Sequence, residues 1–591
     1  LLYCNDGDWV ENCSALTELE NGELSLDNIV ATNLPSIKDR PWLEKPVKAA
    51  LNSLLHIEKF REFEQNYPHL KGLEFVEQAL QYFNVSYSVR DSERENIPST
   101  GRAVIIANHP IGSIDGLALI KLVADIRRDV KVVVNNLLVA IKPLAPLLLP
   151  VNNMAGSTPK ENLKAIQDFL LDEGAVIVFP AGEVSRFRPN GVRDPKWQTG
   201  FLKLATRAKA PIVPIYINAK NSTAFYGVSM MYKPASTLML VGEMFKQKQK
   251  DIPMRIGQQI PFDSYQAVPL DIKSKTKLFR RHLYRLKKGK ADVFQTQSAI
   301  APGEDRKLLK SAITHCEHLG ETPDGKVIYL HRAKANDVIL REVGSLREHA
   351  FRAVGEGSGL RRDLDRYDDH YLHLILWDNE ALEIVGAYRF ADTSDVIAKH
   401  GLSGLYSHSL FDLAGDMQDY LANGLELGRS FVQPRYWGKR SLDYLWFGIG
   451  AFIKKYPKYR YLYGPVSISN ALPRSAKELL VYFYRLHFGT ESNFAPSRNP
   501  FEFHHLLQSE LKQQFTGQDY KQDFIQLKHL LANMGTGVPT LYKQYTELTE
   551  PGGVHFIDFG IDADFNDCID GLVLLDIEKL KPKKRLRYLG R

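Results

Sequence analysis

The sequence predicts an α/β protein of two domains, and three observations carry that expectation. Short apolar runs alternate with helical periodicity over 101–245, and the alternation returns from about residue 325. Between them lies a polar stretch marked by Pro302-Gly303. At 591 residues the chain is too long for one hydrophobic core.

Residues 1–100 are mixed and polar, with helical periodicity around Leu51–Tyr82. Strand-like runs follow at Ala103–Ala107, Lys131–Asn135, Ala175–Phe179, Pro211–Asn218 and Thr237–Val241. Helical stretches fall between them at Glu161–Leu171 and Trp197–Arg207, and a basic helix over 271–290 closes the region. In the second half, Lys326–Arg332 reads as a strand and Val338–Val354 as an amphipathic helix. Tyr371–Trp377 and Ala381–Phe390 form a hairpin across Asp378-Asn379-Glu380. Strands at Leu425–Val432 and Arg460–Val466 alternate with helices at Ser441–Tyr456 and Ala476–Phe488. Residues 490–550 are polar and partly helical, and 554–580 return to strand-like runs.

The apolar share of 44% is ample for packed cores. A net charge of +7 is small for this length and does not call for nucleic acid. The charge is clustered, however, over Lys273–Lys290 and in the tail from Lys579 to Arg591. Such clusters suit an anionic lipid surface or an acidic protein, and equally a solvated helix face and a frayed terminus. Cys4, Cys13, Cys316 and Cys568 form no C-x-x-C pair, so neither a zinc site nor a disulfide framework is expected. No metal site, nicotinamide loop or Walker loop is legible. The start is acidic and polar after Leu1-Leu2, so no signal peptide is read there, and the absent initiator Met suggests a fragment or trimmed chain. Leu137–Val151 is the most apolar run, but Lys142, Pro143, Pro146 and Pro150 break it before transmembrane length. It reads either as an interfacial or acyl-chain-lining segment or as a buried connection.

Residues 104–115 read Val-Ile-Ile-Ala-Asn-His-Pro-Ile-Gly-Ser-Ile-Asp. An apolar strand ends in a turn that presents His109, and Gly112 lets the chain bend so that Asp115 meets it. A neutral imidazole held by a carboxylate is a base that works near neutral pH. It could take a proton from a hydroxyl or amine attacking an acyl group. A strand-ending His bonded locally is the competing reading. Around 175–188 a buried strand opens into a glycine turn, Phe179-Pro-Ala-Gly-Glu-Val-Ser-Arg-Phe-Arg188. There Gly182, Glu183 and Arg186 could face an anionic ligand. Pro211 and Pro214 flank a further buried strand, an unusual pattern inside a sheet.

In this order, Asn-His-Pro…Asp, Phe-Pro-x-Gly-Glu and Pro-Ile-Val-Pro resemble the lysophospholipid acyltransferase superfamily. The resemblance implies that His109 is the general base, Asp115 its partner, and 182–188 the turn that binds a head group. Two departures stand out. His-x5-Asp replaces the usual His-x4-Asp, and Phe-Pro-Ala-Gly-Glu-Val-Ser-Arg replaces Phe-Pro-Glu-Gly-Thr-Arg. They point away from lysophosphatidic acid as acceptor and toward the branch that acylates lyso-ornithine lipids.

In the second half, Arg435-x-x-Gly438-Lys439-Arg440 follows a strand and opens a helix. Backbone amides at a helix N-terminus suit a pyrophosphate or a pantetheine arm. The run resembles the acyl-donor loop of GNAT N-acyltransferases, with Arg440 in place of the final small residue. Glu426 and Arg429 lie three apart on one strand, which sends them to opposite faces unless a bulge at Gly428 intervenes. The region 326–490 resembles the homoserine-lactone-synthase and ornithine N-acyltransferase branch. The resemblance implies acyl carrier protein as donor, Glu426 near the amine as base or water-positioner, and Arg389 and Arg429 holding the substrate or orienting Glu426. Asp363, Asp365, Asp368 and Asp369 cluster before a strand, either to recognise a cationic amine or as a solvated turn.

Together the halves resemble the bifunctional ornithine-lipid synthases of bacteria, often labelled haemolysin-like. The fold implied is an N-terminal glycerolipid-acyltransferase-like α/β domain and a C-terminal GNAT-like α/β domain. The division is a helical N-terminal region at 1–100, an acyltransferase domain at 101–290, a linker at 291–305 and a GNAT-like domain at 306–591 with a basic tail. The resemblance implies N-acylation of ornithine by 3-hydroxyacyl carrier protein, then O-acylation of the resulting hydroxyl. No bound cofactor is implied. The partners are the carrier protein, the amino acid and the lyso-aminolipid, with peripheral association at the cytoplasmic face of a bacterial inner membrane or a cytoplasmic location. Two rivals are a glycerophospholipid acyltransferase with a degenerate GNAT domain and a non-enzymatic lipid-binding protein.

Overall fold

The computed structural model describes residues 62–590 except 64, 136–140, 152–158, 190, 232, 248–249, 291, 335–336, 414, 491–493 and 505–507. The expectations for 1–61, for Cys4 and Cys13 and for the start of the Leu137–Val151 run lie outside the described residues. The chain divides into two units, Leu1–Ala299 and Ile300–Arg591. Among the described residues no helix is long and apolar enough to cross a membrane.

The N-terminal unit is built on a seven-stranded sheet. Its strands are β1 (Ser86–Ser88), β2 (Ala103–Ala107), β3 (Val130–Asn135), β4 (Leu148–Val151), β5 (Ala175–Val178), β8 (Ile212–Ile217) and β9 (Asp251–Ile256), with β6 (Arg186–Arg188) and β7 (Gly191–Arg193) forming a separate ribbon. The order is β1-β9-β8-β2-β5-β3-β4, parallel throughout except where β9 runs against β8. Every residue of β2 and β5 is buried, as expected of central parallel strands covered on both faces. Helices α1 (Gly72–Tyr82), α2 (Ser113–Ala124), α3 (Lys160–Leu171), α4 (Gly200–Ala208), α5 (Thr223–Met231), α6 (Lys233–Lys246) and α7 (Ile272–Leu286) complete the unit. The core divides into two clusters, one led by Ile105, Ile177 and Leu119 and the other by Val104, Val176 and Phe201.

Three sequence expectations change here. Thr237–Val241 lies inside α6 and is not a strand. A five-residue apolar run has no periodicity to separate the two states, and Pro234 sits in the first helical turn, where it is tolerated. The strand that occupies the sheet is β9, whose Pro253 concealed it. The Leu137–Val151 run ends as β4, an edge strand rather than a lipid-facing segment. The basic helix α7 is not simply a solvated face. Asp271 caps it, and Thr276, Phe279, His282 and Leu283 are buried at helical spacing. Phe294, from the stretch read as a linker, stacks on Phe279 at 4.4 Å between ring centroids.

The C-terminal unit has an eight-stranded sheet in the order β10-β11-β12-β13-β14-β15-β17-β16. The strands are β10 (Glu317–Glu321), β11 (Val327–Arg332), β12 (Leu372–Asp378), β13 (Glu383–Asp392), β14 (Gly424–Val432), β15 (Tyr461–Ile468), β16 (Val554–Asp562) and β17 (Cys568–Asp576). All neighbours are antiparallel except β14 and β15. Helices α8 (Arg306–Ile313), α9 (Val338–Ala353), α10 (Ser441–Lys455), α11 (Arg474–Phe488), α12 (Thr540–Leu548) and α13 (Pro582–Leu589) pack around it. The basic tail is not frayed. In α13 Leu589 is buried, and Arg587 pairs with Asp443 of α10.

The pairing of β14 with β15 covers only Gly424–Glu426 against Tyr461–Tyr463. Beyond that the strands diverge. At the branch point Gly464 has φ +155, and a Cβ there would lie 2.0 Å from the Leu427 carbonyl oxygen. Gly464→Ala is therefore expected to cost about 3 kcal/mol, the upper end of overpacking effects. Calorimetry of the full chain should show the melting of this unit lowered by about 6–12 °C.

Candidate functional site

In the N-terminal unit the central strand β2 delivers Asn108 and His109 to the edge of the sheet. Asn108 is clamped to β8, its Nδ2 donating to the Ile217 carbonyl at 2.9 Å and its Oδ1 accepting from the Ile217 N–H at 2.7 Å. Gly112, at φ +102, turns the chain into α2. Asp115 then stands in the first helical turn, and its Oδ2 accepts from the N–H groups of Ile111 and Gly112 at 2.9 and 3.3 Å. Its Oδ1 lies 2.9 Å from His109 Nδ1, with both side chains almost fully buried. Phe179 covers the imidazole at 4.3 Å between ring centroids. With Nδ1 held by the carboxylate, Nε2 is the nitrogen that can accept a substrate proton.

The glycine turn is tied to the His109 turn. Gly182 adopts φ +70, and Ser185 N–H donates to the His109 carbonyl at 2.7 Å. Glu183 is half-buried in this turn. Arg186 is turned inward, its guanidinium donating to Ser229 Oγ at 2.9 Å and lying over the Phe225 ring. The neighbouring Arg188 is the exposed guanidinium at this end of the ribbon.

A residue that sequence reasoning missed joins these turns. Asp194 is fully buried, and its Oδ1 accepts from His109 N–H at 3.2 Å and from the Ser185 hydroxyl at 2.5 Å. Trp197 Nε1–H donates to its Oδ2 at 2.9 Å. Burial pushes the Asp194 carboxyl up, against these hydrogen bonds. From α7, Tyr284 accepts the Asp194 N–H and Arg280 donates to the Asp194 carbonyl. The basic helix thus braces the loop behind the dyad. No motif marks Asp194, because its partners lie far from it in sequence.

In the C-terminal unit a bulge lies between Ala387 and Arg389, placing Arg389 opposite Gly428. Arg429 takes φ +47, so the strand turns locally. The predicted bulge therefore exists, and Arg429 and Glu426 join one cluster around Tyr371 and Tyr406. Glu426 is 1% exposed. Its Oε1 accepts from Ser407 N–H and its Oε2 from the Tyr371 hydroxyl. Burial pushes its carboxyl up, against those bonds. Tyr406 N–H donates to the Tyr371 hydroxyl at 2.7 Å. The Arg389 guanidinium lies over Tyr371 and Tyr406, and that of Arg429 over Tyr406 and Phe565.

The acidic cluster is not a solvated turn, nor is it free to meet an amine. Arg389 Nη1 lies 2.6 Å from Asp365 and 3.1 Å from Asp368. Arg347 pairs with Asp368 at 2.9 Å, and Arg429 approaches Asp363 and Asp365 at 3.8 and 3.6 Å. Burial opposes the charged form of Asp368, but Arg347 and Arg389 outweigh it and hold the carboxyl well below the usual range. Of the four aspartates only Asp369 is exposed.

The loop after β14 stays apart from this cluster. Arg435 pairs with Glu383 at 2.8 Å, Gly438 turns at φ +75, and Lys439 lies over the Tyr436 ring. Arg440 occupies the cap of α10. Arg435, Gly438, Lys439 and Arg440 are all exposed in front of the helix N-terminus.

Comparison with known proteins agrees with this division. Residues 31–292 match the family described as "Acyltransferase", and residues 346–447 match "Acetyltransferase (GNAT) domain". A "Glycine N(alpha)-acyltransferase" of Bacteroides thetaiotaomicron is 30% identical over 48% of this chain and 87% of its own length. A "Lyso-glycine lipid O-acyltransferase" of the same organism is 31% identical over 41% of this chain and 90% of its own. An "L-ornithine N(alpha)-acyltransferase" of Agrobacterium fabrum is 33% identical over 19% of this chain and 39% of its own. With a buried His–Asp dyad in one unit and a splayed, bulged sheet in the other, this chain belongs to the acyltransferases that carry an N-terminal acyltransferase domain and a C-terminal GNAT domain.

Proposed function

We propose that the chain makes an ornithine-type aminolipid in two steps. The C-terminal unit moves a 3-hydroxyacyl group from acyl carrier protein to the α-amine of an amino acid. The N-terminal unit then acylates the new 3-hydroxyl. The observation that carries this reading is the presence of separate acyl-transfer geometry in each unit of one chain. The similarity of the chain both to N-acyltransferases and to a lyso-lipid O-acyltransferase supports it.

In the C-terminal unit the divergence of β14 from β15 leaves the edges at 427–430 and 465–467 unpaired toward each other. An extended pantetheine arm fits such a gap, because its amides can bond to free strand edges. The exposed 435–440 loop and the N-terminus of α10 would receive the phosphate end of that arm. Glu426 holds Tyr371 and the Ser407 turn in place around the arginines.

In the N-terminal unit His109 Nε2 takes the proton of the lyso-lipid hydroxyl while Asp115 fixes the tautomer and stabilises the imidazolium. The alkoxide oxygen attacks the thioester carbon, the carbon–sulphur bond breaks, and the imidazolium protonates the leaving thiolate. Tethering the two sites raises the local concentration of the intermediate. The basic surfaces of α7 and α13 are charged to suit the acidic carrier protein or an anionic membrane face.

The test is expression of the intact chain in a bacterium lacking aminolipids, with mass spectrometry of the lipid extract. A diacylated aminolipid is expected, and its head-group mass names the amino acid. Glu426→Ala should leave neither lyso- nor diacylated aminolipid. Altered phosphatidic acid species with no aminolipid would overturn the reading in favour of a glycerophospholipid acyltransferase.

A further inference from the structure

The divergence of β14 from β15 opens a cavity of about 90 Å³. Glu356, Tyr406, Arg429, Ser467, Phe565 and Asp570 are among the residues that line it. Asp570 stands opposite Ser467 in the β15–β17 ladder and is 2% exposed. Its Oδ1 has no hydrogen-bond partner. An unsatisfied carboxylate oxygen at such depth is costly unless something outside the protein meets it. Glu356 follows α9 and contributes a second carboxyl to the same space.

The charges facing this space are unequal. Besides Asp570 and Glu356, Asp562 lies close by and accepts from the Tyr406 hydroxyl at 2.6 Å. Tyr542 and Cys568 also face the pair, both held neutral with their pKa values pushed up by burial. Arg429 is the one cation among the lining residues, and it is shared with Asp363 and Asp365. A cavity with surplus carboxylate suits an ammonium group. Glu426 cannot meet that group directly, since both of its oxygens are taken by Tyr371 and Ser407.

We propose that this cavity binds the α-ammonium of the amino-acid acceptor, with Asp570 accepting its proton and Glu356 helping to hold the cationic form. The proposal rests on the N-acyl-transfer reading above and names the acceptor site within it. The carboxyls suit the task, since burial pushes each up to about 7, and the two raise each other. A base of that strength can deprotonate an ammonium ion held beside a thioester. One proton passes from nitrogen to Asp570, and the freed lone pair attacks the thioester carbon. The nitrogen–carbon bond forms and the carbon–sulphur bond breaks. The second proton leaves nitrogen for the departing sulphur, and Asp570 returns its proton to solvent.

The experiment uses the full chain with glycine and with ornithine. Titration calorimetry measures amino-acid binding, and steady-state assays with 3-hydroxyacyl carrier protein measure transfer. In Asp570→Asn, kcat should fall about 10²-fold or more. In Glu356→Gln, the KM for the amino acid should rise about tenfold with a smaller change in kcat, the loss of one charge-assisted contact. Thermal melting checks each fold, and the half-buried Glu356 carries the test if Asp570→Asn melts early. Wild-type transfer with unchanged kinetics and binding in both variants would overturn this site and leave the general reading intact. Amino-acid binding that the variants weaken, without any transfer, would overturn the general reading and leave the site. Wild-type protein that neither binds nor acylates an amino acid would overturn both.

Discussion

His109→Ala is expected to stop O-acyl transfer while N-acyl transfer continues. Expressed in the aminolipid-free bacterium, this variant should accumulate lyso-aminolipid and make almost none of the diacylated product. General-base removal alone costs about 10²–10⁴-fold. The imidazole also protonates the leaving thiolate in the proposed mechanism, so the loss should lie at the upper end. The structure gives a reason to expect little unfolding. His109 is buried, but its backbone is fixed independently by Asp194 and Ser185, and Asp115 keeps two backbone donors after the ring is gone. Asp115→Asn should also impair transfer, because an amide cannot stabilise the imidazolium. Diacylated product at wild-type levels from His109→Ala would remove the dyad from the reaction.

Arg389→Met should have the largest effect on the C-terminal unit. Arg389 is 1% exposed and sits between Asp365 and Asp368, beneath the rings of Tyr371 and Tyr406. Methionine roughly fills the stem but leaves buried carboxylates short of a cation. Breaking a buried pair from one side costs about 3–5 kcal/mol. The pH dependence follows from the depressed carboxyls. In the wild type, burial opposes the charged forms, but the arginines outweigh it, so the folded pKa values of Asp365 and Asp368 lie below the usual range. Their contribution is full above the unfolded value of about 3.9 and is lost as pH falls through the folded values. The variant has less of this contribution to lose. The gap between the two proteins should therefore be widest near pH 7 and narrow on acidification toward pH 4. Urea unfolding at the two pH values measures it, and a gap that grows on acidification would contradict this assignment. N-acyl transfer should be lost as well, since Arg389 sets the rings around Glu426.

The two sites depend on burial in different ways. In the N-terminal unit one parallel strand carries the base to the sheet edge, and a glycine turn brings its carboxylate round within seven residues. In the C-terminal unit the charges come from β12, β13, β14, β17 and the loops between them, and they are legible only as a network. A single arginine there serves three partners, so its removal is felt through all of them.

The local parts of this protein were determined by the sequence itself. The β2 run, the turn at Gly112 and the His109–Asp115 spacing are short-range features, and alternating apolar runs mark the α/β class. The bulge at Gly428 also followed from a parity argument on one strand. Other features depended on contacts made across long stretches of chain. Thr237–Val241 was ambiguous because five apolar residues satisfy a buried helix and a strand equally. Pro253 hid β9, since its place beside β8 is a property of the sheet. Asp194 has no motif, because its importance comes from His109, Ser185 and Trp197 converging on one carboxylate. The acidic run at 363–369 looked like a solvated turn until three arginines from α9, β13 and β14 closed over it. Asp570 was one residue in an apolar strand until the divergence of β14 from β15 placed it on a cavity. Backbone preference and periodicity act within a few residues and can be read in order. Burial and charge pairing are set by which strands become neighbours, and that only the folded chain decides.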